Sequence, residues 1–303
     1  MKKLLPALLL SLILGGCSKS NQPGENKPAQ EDAKHKVSFT ITDFAASTTV
    51  MSTPGTKATN AVGDTLKNYA DNLYYRIYDA NGNWVNGTEQ TSTSATFGTV
   101  TDQLVAGTYT VFLAASKGGL RTSDKTVAFS KADFGPTSTG AIWNDTFIKT
   151  FTLTVGTTDL SQSVRLERTV AAYQIVLEDA IPSDAAKIAV SIMYDYPTMA
   201  LTGANMSVPL SPPVEYALAA ADKGVKNKTF SGFLSNTFLP VSFVIKAYNG
   251  RNEVIAEKTI KDLKFEKNKR TTLTGALFPP ANPSGDFTVV VNPVWAPGAT
   301  FKF

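Results

Sequence analysis

Leu73-Tyr74-Tyr75-Arg76-Ile77-Tyr78-Asp79 leads through Ala80 into Asn81-Gly82, and Trp84-Val85 resumes the apolar character on the far side. A run dense in aromatic residues reads as a strand, and Asn-Gly between two such runs reads as a tight hairpin because both residues tolerate positive φ. The residues from Asp79 to Asn83 also invite comparison with a calcium loop. That comparison fails on detail: the glycine falls at the fourth rather than the sixth position, and Gln90 stands where a bidentate glutamate is needed. The hairpin sets the fold class as antiparallel β.

Outward from this hairpin further strand signals follow. Val37, Phe39 and Ile41 alternate with polar residues and mark the first strand, and Ala45 to Gly63 is a Ser/Thr/Pro/Gly-rich loop from which Asp64 caps a short helix through Asp71. Strands are predicted at Ala95–Val100, Gly107–Ala115, Thr126–Phe129 and Ile148–Val155, with one helical turn at Ser130–Phe134. After a polar stretch from Gly156 to Ser163 a second set is predicted: Val164–Leu166, Val170–Leu177, Ile188–Met193, Val241–Tyr248, Val254–Ile260, Arg270–Phe278 and Phe287–Val291. A helix is predicted near Val214–Asp222, entered through Pro212-Pro213. Asn249-Gly250 repeats the hairpin device, and Val111-Phe112-Leu113-Ala114-Ala115 matches Phe243-Val244-Ile245-Lys246-Ala247 in pattern. Short strands, turn chemistry between them and no long helix imply antiparallel β-sandwiches. The internal match implies two of them in tandem, over residues 37–160 and 161–303.

The N-terminus has a different character. Lys2-Lys3, the apolar run Leu4 to Leu14 and Gly15-Gly16 are the three parts of an export signal, over residues 1–16. The run is about half of the roughly 20 residues that a membrane span needs, and Pro6 interrupts it. Leu14-Gly15-Gly16-Cys17 resembles the bacterial lipobox, in which the cysteine is acylated and becomes the first residue. Cys17, the one cysteine of the chain, is thus the predicted lipid attachment. Each buried CH₂ contributes about 0.8 kcal/mol, so two or more chains hold where one holds only marginally. The polar residues 17–36 read as a tether between lipid and fold.

Composition narrows the function. The formal charge of the 303 residues is +4, and loss of Lys2 and Lys3 with the signal leaves 27 basic against 25 acidic residues, too balanced for nucleic-acid binding. The single histidine, His35, falls in the predicted tether, and Cys17 is committed to lipid. No Ser-His-Asp or Cys-His catalytic set and no His/Cys zinc site can be assembled from that inventory. A glycosidase needs only two carboxylates, but Glu31-Asp32 and Glu178-Asp179 are adjacent pairs that read as solvated charge. The sequence therefore points to a protein that is not an enzyme and has no cofactor or metal.

Three stretches together resemble a known family: the lipobox; Leu166-Glu167-Arg168-Thr169-Val170-Ala171-Ala172-Tyr173-Gln174-Ile175-Val176-Leu177 running on to Asp179-Ala180-Ile181-Pro182; and Asn268-Lys269-Arg270-Thr271-Thr272-Leu273-Thr274-Gly275-Ala276-Leu277-Phe278. With the two-domain all-β length, they resemble the fimbrillin-type lipoproteins of Bacteroidetes, within them the FimB-like anchor and accessory subunits of type V pili. The resemblance implies two transthyretin-like β-sandwiches, a structural role, other fimbrial subunits as partners, and an outer-membrane location at the cell surface. It also implies assembly by addition of a β-strand to an unpaired edge.

On the anchor reading the first strand stays in place, because cutting it away would sever the link to the lipid. The loop containing Lys57 is the more accessible target for proteolysis. Subunit contact then falls to the other end, where Phe287, Val289 and Val291 alternate with polar residues and Pro293, Pro297 and Gly298 limit further pairing. The alternative is a surface glycan- or ligand-binding lipoprotein that stacks sugars on Trp84, Trp143 or Trp295. The competing role for each tryptophan is packing at the edge of the core.

Overall fold

Alternating burial carries the sequence pattern directly into strands. The computed structural model describes residues 33–45, 66–137, 142–204, 212–278 and 287–292. Within them the first group is β1 (Lys34–Ala45), a single turn α1 (Leu66–Tyr69), β2 (Asn72–Asp79), β3 (Trp84–Thr91), β4 (Thr99–Val105), β5 (Gly107–Ser116), β6 (Leu120–Thr122), β7 (Asp133–Pro136), β8 (Thr146–Val155) and β9 (Leu160–Arg168). Seven of these strands form one sheet in the order β3-β2-β5-β8-β9-β1-β4. β8 and β9 pair only at Phe147–Arg168 and Ile148–Glu167. The sheet folds over at that corner into two leaves, with Val37, Phe39, Tyr75, Val111, Leu113 and Leu166 buried between them.

The second group is β10 (Ala171–Leu177), β11 (Ala185–Met193), β12 (Met199–Ala200), β13 (Val214–Ala217), β14 (Lys228–Leu234), β15 (Val241–Asn249), β16 (Val254–Leu263), β17 (Arg270–Gly275) and β18 (Thr288–Asn292). Two four-stranded sheets, β14-β10-β17-β18 and β13-β11-β15-β16, enclose a core that includes Tyr173, Ile175, Ile188, Phe243, Ile245 and Leu273. The chain is all-β, as the sequence predicts.

The two groups share one wiring. β1 pairs antiparallel with β4 and parallel with β9, and β10 pairs antiparallel with β14 and parallel with β17. On the opposite leaf β3-β2-β5-β8 matches β13-β11-β15-β16. The internal sequence match falls on equivalent strands, β5 and β15, where Val111, Leu113 and Ala115 correspond to the equally buried Phe243, Ile245 and Ala247. Among the described residues β18 has no counterpart in the first sheet.

A third layer ties the groups together. The outer face of β2 and β5 carries Tyr74, Tyr78, Phe112 and Ala114, and the small sheet β12-β7-β6 covers it with Phe134, Leu120 and Met199. β2 is therefore buried on both faces, and Arg76 within it is satisfied by Thr122 of β6, the Tyr75 and Thr88 carbonyls and Glu89. β12 comes from the second half of the chain, so Met199–Phe134 pairing crosses between halves. Gly135 permits the approach: a Cβ there would lie 2.3 Å from the Pro197 carbonyl oxygen.

Several sequence expectations change. The 79–83 turn places only Gly82 at positive φ, 80°, with Asp79 Oδ1 accepting from the Asn81 and Asn83 N–H groups at 2.9 and 2.8 Å. A side-chain-capped turn with one left-handed residue thus replaces the two-residue hairpin. The Asn249 turn is built alike, with the left-handed position at Asn252 (φ 64°) and not at Gly250. The predicted helix at Val214–Asp222 is β13 followed by a 3-10 turn at Ala220–Asp222, because Val214–Ala217 finds a partner in β11. The predicted strands at Ala95–Val100 and Thr126–Phe129 give way to turns, followed by β4 and by a 3-10 turn at Phe129–Lys131. His35 belongs to β1, opposite Leu104, and not to the tether. Residues 160–168, assigned above mainly to the second set, pair with β1 and bury Val164 and Leu166 in the first core.

Candidate functional site

β18 is the element on which the predicted contact residues converge. It pairs with β17 through Thr288–Asn292 on one side, and no strand among the described residues pairs with its other side. Val289, Val290 and Val291 are 44%, 38% and 43% exposed. Adjacent residues in a strand point to opposite faces, so neither face of β18 is covered by core. Such an edge offers both free backbone hydrogen-bonding groups and uncovered apolar side chains.

Phe287 behaves differently from the two valines grouped with it in the sequence. It is 9% exposed and joins the second core, its ring lying against Gly275, where a Cβ would come within 2.7 Å of Cδ2. Phe287 thus fixes the start of β18, while Val289 and Val291 remain outside. Gly275 is the last residue of β17, and the absence of a side chain there admits the aromatic ring.

Asp179 completes the arrangement. Its Oδ2 accepts the N–H groups of Leu277 and Phe278 at 2.9 and 2.5 Å, pinning the chain where it leaves β17. The pair Glu178-Asp179 is therefore only half solvated charge: Glu178 is exposed, and Asp179 is a backbone staple. Nothing in local sequence distinguishes the two, because the partners of Asp179 lie 98 and 99 residues away.

Trp143 is 1% exposed, edge-on to Phe134, and donates from Nε1 to the Tyr196 carbonyl at 2.7 Å. It packs in the layer between the two halves and presents no face for stacking a sugar. Trp84 is half-buried, edge-on to Tyr78 and lying against Gly87. Trp295, Cys17 and the Lys57 loop lie outside the described residues. Among the described residues no group of three or more His, Cys, Asp or Glu side chains is placed to hold a metal ion, and no helix is long and apolar enough to cross a membrane.

The fold therefore defines a class: two related β-sandwiches in tandem, the second extended by an edge strand. Solved structures resemble this chain in fold. A candidate polysaccharide-binding protein from Bacteroides thetaiotaomicron superimposes with a TM-score of 0.55 at 8% identity, covering 86% of this chain and 96% of the other. A candidate adhesin from the same organism gives 0.52 at 13% identity, covering 88% and 98%. The tip fimbrial protein Mfa3 from Porphyromonas gingivalis, C-terminally truncated, gives 0.41 at 13% identity, covering 86% and 99%. No protein-family model matches the sequence, and neither does any curated protein.

Proposed function

We propose that this chain is a structural subunit of bacterial surface fimbriae, tethered to the outer membrane by lipid on Cys17, and that it meets a neighbouring subunit through β18. The observation that carries the reading is the uncovered edge strand with Val289, Val290 and Val291 exposed. An unpaired edge is a template for a strand from another chain. The resemblance of the lipobox and of the 166–182 and 268–278 stretches to fimbrillin-type lipoproteins supports the same reading, as does a fold shared with a candidate adhesin. The role is that of an anchor or accessory component of the FimB-like kind, with the polar stretch between Cys17 and β1 as its tether and without catalysis.

β1 bears on the anchor role. It lies between β9 and β4, and Val37 and Phe39 are fully buried. Its removal would open the first sandwich, so retention of β1 and of the lipid attachment beyond it belong together.

The test is to charge the edge with Val289→Lys and Val291→Glu and to measure co-purification with fimbriae. Loss of association by a double mutant that keeps its melting transition is the expected outcome. Association at the wild-type level would remove β18 as the contact.

A further inference from the structure

A groove on the first sandwich carries chemistry that fimbrial assembly through β18 does not use. The β2–β3 register sets Arg76 opposite Gly87, Tyr74 opposite Glu89 and Tyr78 opposite Trp84. Paired residues share a face of the sheet, so Trp84, Gly87 and Glu89 continue the outer face of β2 beside the third layer. The chain that leaves β6, from Thr122 to Lys125, lines the other side. Gly87 contributes no side chain, and the Trp84 ring lies over it: a Cβ there would come within 2.5 Å of Cη2. The result is an open groove of about 430 Å³, floored by Arg76. That volume falls within the roughly 300–1,000 Å³ of small-molecule sites.

Arg76, 6% exposed, spends all five of its N–H donors inside the fold. Nε and Nη2 donate to the Thr122 hydroxyl at 3.0 and 2.7 Å, Nη1 to the Tyr75 and Thr88 carbonyls at 2.9 and 3.1 Å, and Nη2 again to Glu89 Oε1. It therefore has no donor left for an anion, and Glu89 balances its charge. The Thr122 hydroxyl accepts twice, which occupies both of its lone pairs, and no acceptor among the described residues takes its proton. Glu89 is the complement: its side chain is 61% exposed and only Oε1 is engaged, so Oε2 remains an open acceptor among the described residues. An unspent donor and an unspent acceptor are thus held by the same nitrogen of a buried guanidinium. Beside them the half-buried Trp84 ring lies 5.7 Å from that guanidinium. Lys125 and Asp124 complete a lining in which cations and carboxylates are equal in number.

We infer that this groove binds a neutral saccharide, a pyranose ring resting against Trp84 while its hydroxyls meet Thr122 and Glu89. A sugar hydroxyl both donates and accepts, so it matches a donor and an acceptor set side by side. The C–H face of a pyranose matches an indole, which offers apolar area in a rigid frame. A few placed polar groups beside an apolar wall are what fixes a small ligand in orientation. An acidic or sulfated sugar gains nothing from Arg76, whose donors are spent, and is repelled by Glu89 and Asp124. The groove draws on neither β18 nor the lipid, so it stands or falls separately from the fimbrial reading.

The test applies the full chain to an array of neutral oligosaccharides of glucose, mannose, galactose and N-acetylglucosamine, with sialylated and sulfated counterparts, and measures the hits by titration calorimetry. Neutral hits are expected. Trp84→Ala and, separately, Glu89→Gln should each weaken them about tenfold, the loss expected for one stacking contact or one charged hydrogen bond. Glu89→Gln keeps an oxygen for Arg76 and replaces the open acceptor by a donor, so it leaves the guanidinium partnered. Lys125→Ala should leave neutral binding unchanged. Melting curves restrict the comparison to folded variants, and Trp84→Phe, which keeps a smaller ring over Gly87, replaces the alanine variant if that one does not fold. Absence of any neutral hit would overturn the proposal, as would affinity indifferent to the Trp84 and Glu89 changes. Hits confined to sialylated or sulfated sugars and lost on Lys125→Ala would overturn it too, by making the groove an anion site.

Discussion

Arg168 donates from Nε and Nη2 to the two carboxylate oxygens of Asp145 at 2.6 and 2.9 Å, with its side chain fully buried and its third nitrogen bonded to Asn268. Its guanidinium also lies 4.6 Å from the Phe147 ring. Arg168 closes β9 in the first sheet, and Asn268 precedes β17 in the second, so one side chain joins both sandwiches.

Removing one partner of such a pair strands the other charge in the interior, at a cost of roughly 3–5 kcal/mol. Arg168→Ala is predicted to lower stability by that order in urea unfolding and to separate the transitions of the two sandwiches. Arg168→Lys should recover only a minor part, because an ammonium lacks the two-pronged geometry. A single unshifted transition in Arg168→Ala would show that the junction is held by β12 and its layer alone.

Asp195 predicts a pH dependence. Burial raises its pKa, and the N–H donors from Asn236, Tyr196 and Ser235 only partly oppose this. A carboxyl whose folded pKa is raised binds its proton more tightly in the folded state. Its contribution is therefore fully present below the ordinary carboxylate pKa and is lost as pH rises through the raised value. Relative to Asp195→Asn, which does not titrate, the wild type should lose stability as pH rises through that window. Asp195→Ala leaves the Ser235 and Asn236 N–H groups without their acceptor and should cost about 1–3 kcal/mol for each. Thermal melts of the three proteins between acid and neutral pH decide the sign.

Gly275 predicts how firmly β18 is held. A valine there would collide with the Phe287 ring, and overpacking of this kind costs about 1–3 kcal/mol. Gly275→Val should release Phe287 and raise hydrogen exchange across Thr288–Asn292 and its partner β17. Unchanged protection in β18 would show that the ring is accommodated elsewhere.

Cys17→Ala should abolish acylation and either release the chain from the membrane fraction or leave an uncleaved precursor. Mass spectrometry of the wild type should find the acyl chains on an N-terminal cysteine. Unchanged fractionation with no acyl mass would refute the lipid reading.

Alternation along Val37–Ile41 and Phe243–Ala247, with the aromatic run Leu73–Tyr78, determined from sequence alone that the protein is β in class and that its strands come in two related sets. Period-two burial is local information: each strand carries its own core face whatever it pairs with. A single histidine and a single cysteine likewise bounded the chemistry through composition alone. Pairing and cover are non-local, and only the tertiary structure decided them. It moved 160–168 into the first sheet, because parallel partnership with β1 is invisible in a polar run. It turned 214–217 from helix to strand, because β11 supplied a partner. Asp179 and Asp195 became staples because the N–H groups they hold lie 40 or more residues away. The predicted contact residues parted for the same reason: Gly275 made room for Phe287 and buried it, while β18, lying at the edge of its sheet, left Val289 and Val291 in solvent.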